Sequence, residues 1–289
     1  MVYRLVMDYK MLANLIKRLA RQPNAQDNKY TRGTVGFITG SEVYPGAAVL
    51  GVGAAQQTGI GLVRYVGPRR PADLVLQAHP EVIVSESFTS SWPAQAWVIG
   101  SGISATDEFQ SANIRDLLAE PKIAVVDAGA LEIVDFGAAS KSSLLLTPHL
   151  GELIRLLNKL TASNDFTGER FKGLADVRDA AALAARFTGQ TVLVKGNTNV
   201  IALPLGQVID VGPTSAHLAT AGSGDVLAGI LGGLAAANPE LAETYWVDIA
   251  TLGILVHSEA ANLAAKAGLV TASTISSGVA QILNERLAG

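Results

Sequence analysis

The segment Thr220–Leu234, TAGSGDVLAGILGGL, joins a small, polar half to an apolar half, and an acid, Asp225, stands at the seam. Gly222 and Gly224 permit backbone conformations in which successive N–H groups converge on one point. A helix beginning near Asp225 adds unpaired amides and the positive end of its dipole. The amides of Ala221, Gly222, Ser223 and Gly224 are therefore candidates for an anion hole. The plainer alternative is that Ser223 or Asp225 caps the helix. No Gly-Lys-Ser/Thr follows the glycines, so this is not a Walker loop. A carboxylate beside an anion hole repels a resting phosphate. It is useful there as a general base taking the proton of an attacking hydroxyl, a contribution of roughly 10²–10⁴-fold. Asp225 is thus the candidate catalytic residue.

Other groups belong to the same chemistry. Lys195 ends a Val/Leu run in VLVKGNTNVI, where it can reach nucleotide phosphates as a point charge, and Gly196 permits close backbone approach. A solvated lysine in a turn is the alternative. In LTPHLGELIRLL, His149 sits where a strand gives way to a helix and can touch a ligand, while Glu152 complements the dipole of the helix start. Ala47 lies in the small-residue run Gly46-Ala47-Ala48, which lets a helix end approach either a ligand or the sheet. Gly102, in GSGI, either contacts ligand or makes a turn. Asp127 ends another strand, where it either holds hydrated Mg²⁺ or caps the turn after that strand. His79, His217 and His257 are too scattered to suggest a metal site, and no metal-ligand spacing occurs.

These positions need a frame. TVGFIT (34–39), GLVRYV (61–66), AWVIG (96–100), IAVVDA (123–128), SLLLT (143–147) and TVLVKG (191–196) predict buried strands without strict alternation, the mark of a two-faced parallel sheet. Helical patterns at Gly46–Thr58, Thr106–Ala119, His149–Leu157 and Asp176–Phe187 alternate with them. The expectation is a doubly wound α/β fold, mostly parallel, with helices on both faces. VIALPLGQVIDVG (200–212) predicts a hairpin and a local antiparallel edge. From Gly224 onward the chain reads as helical, with helices over 242–267 and 277–287. The polar stretch 158–173 is the longest expected loop. No composition shift marks a boundary, so residues 1–289 are expected to form one domain.

Bulk properties narrow the class. The 289 residues are 49% hydrophobic and 16% charged, which suits a packed globular chain. A net charge of −3 offers no basic surface for nucleic acid or anionic lipid. The absence of cysteine excludes disulfides and thiolate metal sites and fits a reducing compartment. The N-terminus lacks a continuous apolar core and carries Asp8, unlike a signal peptide. No uncharged apolar run reaches the roughly 18 residues of a membrane span. A cytoplasmic location is expected.

Taken together, GSEVYPGAAVL, GIGLV, GSGI, LTPHLGE, VLVKGNTNVI and TAGSGDVLAGIL in this order resemble the ADP-dependent NAD(P)H-hydrate dehydratases, a branch of the ribokinase-like superfamily. The resemblance runs from about Tyr30 to the C-terminal helix. It implies a ribokinase-like α/β sandwich with nucleotide near Lys195, Gly196, Asn197, Thr198, Asn199 and Gly224. It also implies a hydrated nicotinamide ring near Ala47, Gly102, His149 and Asp225. The implied reaction restores NADH or NADPH from the hydrates NADHX and NADPHX, using ADP (ATP being a possible substitute) with Mg²⁺ and releasing AMP and phosphate. A homo-oligomer, commonly a tetramer, and a separate epimerase chain are further implications.

Two departures stand out. The family's DADAL is DAGAL here, with Gly129 in place of an acid, and the Gly-Asn-rich run before the anion hole reads GPTSAHLATAGSGD, with Ser215-Ala216 in place of Gly-Asn. They support a nucleotide sensor without turnover as one alternative; a small-molecule kinase with a stable phosphorylated product, from the same superfamily, is the other.

Overall fold

The computed structural model describes residues 2–5, 9–20 and 22–287. Asp8, which entered the signal-peptide argument, lies outside the described residues. Ten strands form one sheet: β1 (Val2–Leu5), β2 (Thr34–Ile38), β3 (Leu62–Val66), β4 (Ile83–Ser85), β5 (Ala96–Ile99), β6 (Ile123–Val126), β7 (Ser143–Leu146), β8 (Thr191–Val194), β9 (Asn199–Ala202) and β10 (Val208–Val211). Their spatial order is β1-β10-β9-β8-β7-β6-β5-β2-β3-β4. Every neighbouring pair is parallel except those that β9 makes with β8 and β10.

The helices are α1 (Tyr9–Leu19), α2 (Gly46–Gln56), α3 (Arg69–Ala78), α4 (Glu108–Leu118), α5 (Ala130–Ile133), α6 (Leu150–Thr161), α7 (Leu174–Thr188), α8 (Ser223–Ala237), α9 (Pro239–Thr244), α10 (Val247–Ala267) and α11 (Ala272–Leu287). They cover both faces. Successive strand residues point oppositely, so Leu145 and Leu193 join a core with α1, α2, α8, α10 and α11, while Leu144, Leu146, Val192 and Val194 join one with α4–α7. This two-sided burial is why the strand sequences do not alternate.

The expected doubly wound α/β architecture is present, and the six expected strands lie where their apolar runs do. Three differences have physical causes. The hairpin pairs Ile209 with Ile201 as expected, but β10 is not an edge, because β1 adds to it in parallel register. Leu12, Leu15, Ile16 and Leu19 of α1 are buried at helical spacing, packed into the first core. The helix expected over 242–267 is split at Tyr245–Trp246 into α9 and α10.

Helices α2 and α8 meet at their backbones. A Cβ at Gly229 would stand 2.1 Å from the Gly51 carbonyl oxygen. The small residues of GAAVLGVGAA thus serve close packing, which brings the start of α8 against the loops at the carboxyl ends of the strands.

Candidate active site

Chain order reverses between β2 and β5: the chain runs outward through β3 and β4 on one side and through β6, β7 and β8 on the other. Ligands in open α/β sheets collect at the carboxyl ends of strands at such a switch point. Gly40 N donates to Ser101 O at 2.7 Å there, joining the loops that follow the two strands. A Cβ on Gly102 would stand 2.5 Å from the Ala47 Cβ. The two residues expected near the nicotinamide therefore touch at this crevice.

Further along the same edge, Lys195 N donates to Pro148 O at 2.8 Å, and His149 and Lys195 form a parallel bridge that extends the β7–β8 ladder. Lys195 Nζ lies 2.6 Å from Asp127 Oδ1 and 3.8 Å from Glu152 Oε2. Asp127 is buried, and Ser101 Oγ and Thr147 Oγ1 donate to its two oxygens at 2.8 Å each. Burial opposes both charges, yet mutual attraction and hydrogen bonding outweigh it. The Asp127 carboxyl is held below its ordinary range and the Lys195 ammonium above its own, with Glu152 and Asp225 adding to the latter. Of the two roles left open at Asp127 the structure shows neither; its carboxylate is paired with Lys195.

His149 caps α6. Glu152 N donates to His149 Nδ1 at 3.3 Å and His149 N to Glu152 Oε2 at 2.8 Å, a reciprocal capping box. The same residue leaves 55% of its side chain exposed, so capping and ligand contact are compatible here.

At α8 the N-cap is Gly222, with φ +85° and no side-chain cap, so neither Ser223 nor Asp225 caps the helix. Only glycine adopts that backbone region at little cost. Ser223 N reaches back to Thr220 O at 3.3 Å. Gly224 faces Lys195, since a Cβ there would lie 3.6 Å from Nζ, whereas Gly222 faces Leu50 of α2. The Asp225 carboxyl is pushed up to about 6 by burial first and by the Asp127 charge second, with Lys195 pulling the other way.

A cavity of about 620 Å³ opens beside this helix end. His149, Lys195, Gly196, Asn197, Asn199, Ser223 and Gly224 border it. The loop after β10 supplies another wall and is tied down near its start: Thr214 N donates to Asn197 O at 2.8 Å, and Ser215 N to Ser258 Oγ at 2.9 Å. Ala47 and Gly102 do not border this cavity; they lie at the switch-point crevice. A second cavity, of about 690 Å³, lies at the opposite, amino ends of β6–β8 around Lys122, Gln190 and Trp246. Neither Asp127 nor Asp225 lines either cavity; the first is the one bordered by Lys195, the partner of Asp127, and by Gly224, the neighbour of Asp225, and so is the one placed for chemistry.

Sequence reasoning missed the Lys195–Asp127 pair, its supports Ser101 and Thr147, and His257, whose Nε2 lies 3.2 Å from Ser223 Oγ. The local signal was a polar residue within two positions of the ends of β5, β6, β7 and β8; His257, inside α10, carried none. Gly129 also gains a reason: a Cβ there would stand 2.0 Å from the Ile103 carbonyl oxygen, so this backbone leaves no room for the family's acid. Among the described residues, no group of three or more His, Cys, Asp or Glu side chains could hold a metal ion.

Comparison with known proteins agrees with this geometry. Residues 35–281 match the family model described as NAD(P)H-hydrate dehydratase. The chain is 39% identical over 220 residues to a bifunctional NAD(P)H-hydrate repair enzyme of Mycobacterium tuberculosis, a match that covers 75% of this chain and 43% of that protein. It thus spans less than half the length of that curated relative. It is 30% identical over 269 residues to the ADP-dependent (S)-NAD(P)H-hydrate dehydratase of Neisseria meningitidis, covering 89% of this chain and 86% of the relative. The fold superposes on that of the ADP/ATP-dependent NAD(P)H-hydrate dehydratase of Bacillus subtilis with a TM-score of 0.78, at 22% identity, over 95% of this chain and 97% of the other. The architecture is ribokinase-like, and the chain belongs to the NAD(P)H-hydrate dehydratase family.

Proposed function

We propose that this protein dehydrates hydrated NADH or NADPH in an ADP-dependent reaction that releases AMP and phosphate. The observation that carries this reading is the Asp225 carboxyl, raised to about 6, in the first turn of α8 beside Gly224 and Lys195. A carboxylate of that basicity is ionised at neutral pH and better matched to proton abstraction than an ordinary one.

Hydroxide is a poor leaving group from the nicotinamide ring. In the proposed sequence Asp225 takes the proton of the ring hydroxyl as its oxygen attacks the terminal phosphorus of ADP, and the bond to AMP breaks. The oxygen, now part of a phosphate, departs with the C–O bond electrons as the ring nitrogen lone pair drives expulsion. Loss of a ring proton then restores the dihydropyridine. Lys195 and the Gly224 amide oppose the charge of the transferring group, and a donor so aimed is worth roughly 10²–10³ in rate. Gly196, Asn197, Thr198 and Asn199 would hold the nucleotide, the amides of Ala221, Gly222 and Gly224 the anion, the expected Ser223 amide being engaged with Thr220 O, and Ala47, Gly102 and His149 the hydrated ring. Mg²⁺ arrives with ADP as part of the co-substrate, held by phosphates and water.

One continuous sheet supports reading the chain as a single domain. Among the described residues, no helix is long and apolar enough to cross a membrane. A cytoplasmic homo-oligomer that receives substrate from a separate epimerase belongs to the same reading.

The test is direct. Purified protein given NADHX, ADP and Mg²⁺ should regain the absorbance of reduced nicotinamide, with AMP and phosphate formed in equal amounts. No recovery at any nucleotide concentration overturns the proposal. A stable phosphorylated small molecule would instead identify a kinase.

A further inference from the structure

Ser223 opens α8 and His257 lies on α10, yet Ser223 Oγ and His257 Nε2 stand 3.2 Å apart. Both residues are buried, 6% and 4% exposed, and both border the cavity that holds Lys195 and Gly224. The Ser223 amide is already engaged with the Thr220 carbonyl. What Ser223 can offer a ligand in the cavity is therefore its hydroxyl, and the direction of that O–H bond depends on His257.

Burial keeps the His257 imidazole neutral, its pKa pushed down to about 4, so one ring nitrogen carries a proton. The two tautomers have opposite consequences. If Nε2 is bare, it accepts the Ser223 proton and leaves oxygen lone pairs facing the cavity, which repels phosphate. If Nε2 carries the proton, it donates to Oγ and frees the hydroxyl proton to point at an anionic oxygen. Only the second arrangement presents a donor to an anion held beside Lys195 and Gly224, which border the same cavity.

We propose that His257 is a positioning residue: by donating its Nε2–H to Ser223 Oγ it turns the Ser223 hydroxyl into the cavity as a hydrogen-bond donor to the phosphoryl group being transferred. Both the assignment of that group and the direction of the hydrogen bond rest on the proposed function, and the direction can be measured apart from the reaction.

Nitrogen-15 spectra of histidine-labelled native protein test the direction without any substrate. They should show His257 protonated at Nε2 and bare at Nδ1, and the reverse pattern overturns the proposal. Calorimetry with ADP is the second readout. His257→Leu and Ser223→Ala should each weaken ADP binding by a similar factor, the double variant no more than either alone, and His257→Gln, whose amide can donate, should recover most of the loss. Where turnover is measurable, kcat should fall about 10- to 100-fold in the Leu and Ala variants, with little change in KM for the hydrated dinucleotide. Native-like affinity in His257→Leu, or additive losses in the double variant, would show that the imidazole does not act through Ser223. Failure of the dehydratase assay with the expected tautomer and ADP results intact would overturn the reaction and leave the positioning role standing.

Discussion

Lys195 Nζ lies 2.6 Å from Asp127 Oδ1, joining the ends of β6 and β8, which are separated in the sheet by β7; the carboxylate is buried, while the lysine borders the cavity. Ser101 and Thr147 fix the carboxylate from the loops after β5 and β7. One buried ion pair therefore clamps four strand ends at the mouth of the site.

Removing one member of that pair leaves its partner's charge buried. Lys195→Met and Asp127→Asn are each expected to cost about 3–5 kcal/mol of stability, measured by urea unfolding. The double variant Lys195→Met/Asp127→Leu should lose clearly less than the sum of the single changes. Additive losses would show that the two groups do not support each other.

Asp225 should show the opposite effect on stability. Its carboxyl binds a proton more tightly in the folded chain, about 6 against 3.8, so the folded state pays for ionisation above pH 6. Stability from this group is present below about pH 4 and is lost as pH rises through about 6. Asp225→Asn should accordingly be more stable at pH 7 by on the order of 3 kcal/mol, at about 1.36 kcal/mol per pH unit. The gain should vanish near pH 4, and turnover should fall by orders of magnitude while ADP still binds. Thermal melts across pH, run beside the activity assay, read both.

In the proposed reaction the same carboxyl sets the acid limb of activity. As the general base must be ionised, kcat/KM should decline about tenfold per pH unit below about 6. A limb that begins near pH 4 would mean that the group titrating in the reaction is not Asp225.

Gly129→Asp tests the departure from DADAL. The new Cβ would meet the Ile103 carbonyl oxygen at 2.0 Å, a backbone obstacle that cannot rotate away. A loss of about 1–3 kcal/mol is expected from overpacking, with no gain in ADP binding. A fully stable variant with higher ADP affinity would indicate that the 100–104 loop yields easily.

The fold was legible where local pattern and tertiary demand coincide. Leu144–Leu146 and Val192–Val194 read as buried strands because a two-faced sheet asks for unbroken apolar runs, and His149-Leu-Gly-Glu152 read as a helix start because its capping is local. The β1 addition beside β10 was not legible: a strand at the end of a sheet is placed by its neighbour's free hydrogen-bonding groups, which carry no sequence mark. Nor did the alanines and glycines of α2 show whether they faced a ligand or another helix, until Gly51 was found against Gly229.

By itself the sequence determined the candidates for the chemistry: an acid after two glycines, a lysine at a strand's end, and a histidine and a glutamate in a helix's first turn. These are local relations, within reach of a few backbone bonds. Tertiary structure alone decided which of those charges meet, joining Lys195 to Asp127 across 68 positions and Ser223 to His257 across 34. The reason is that strand order in the sheet, rather than distance along the chain, selects which loops share an edge, and burial at that edge then sets the protonation of what it brings together.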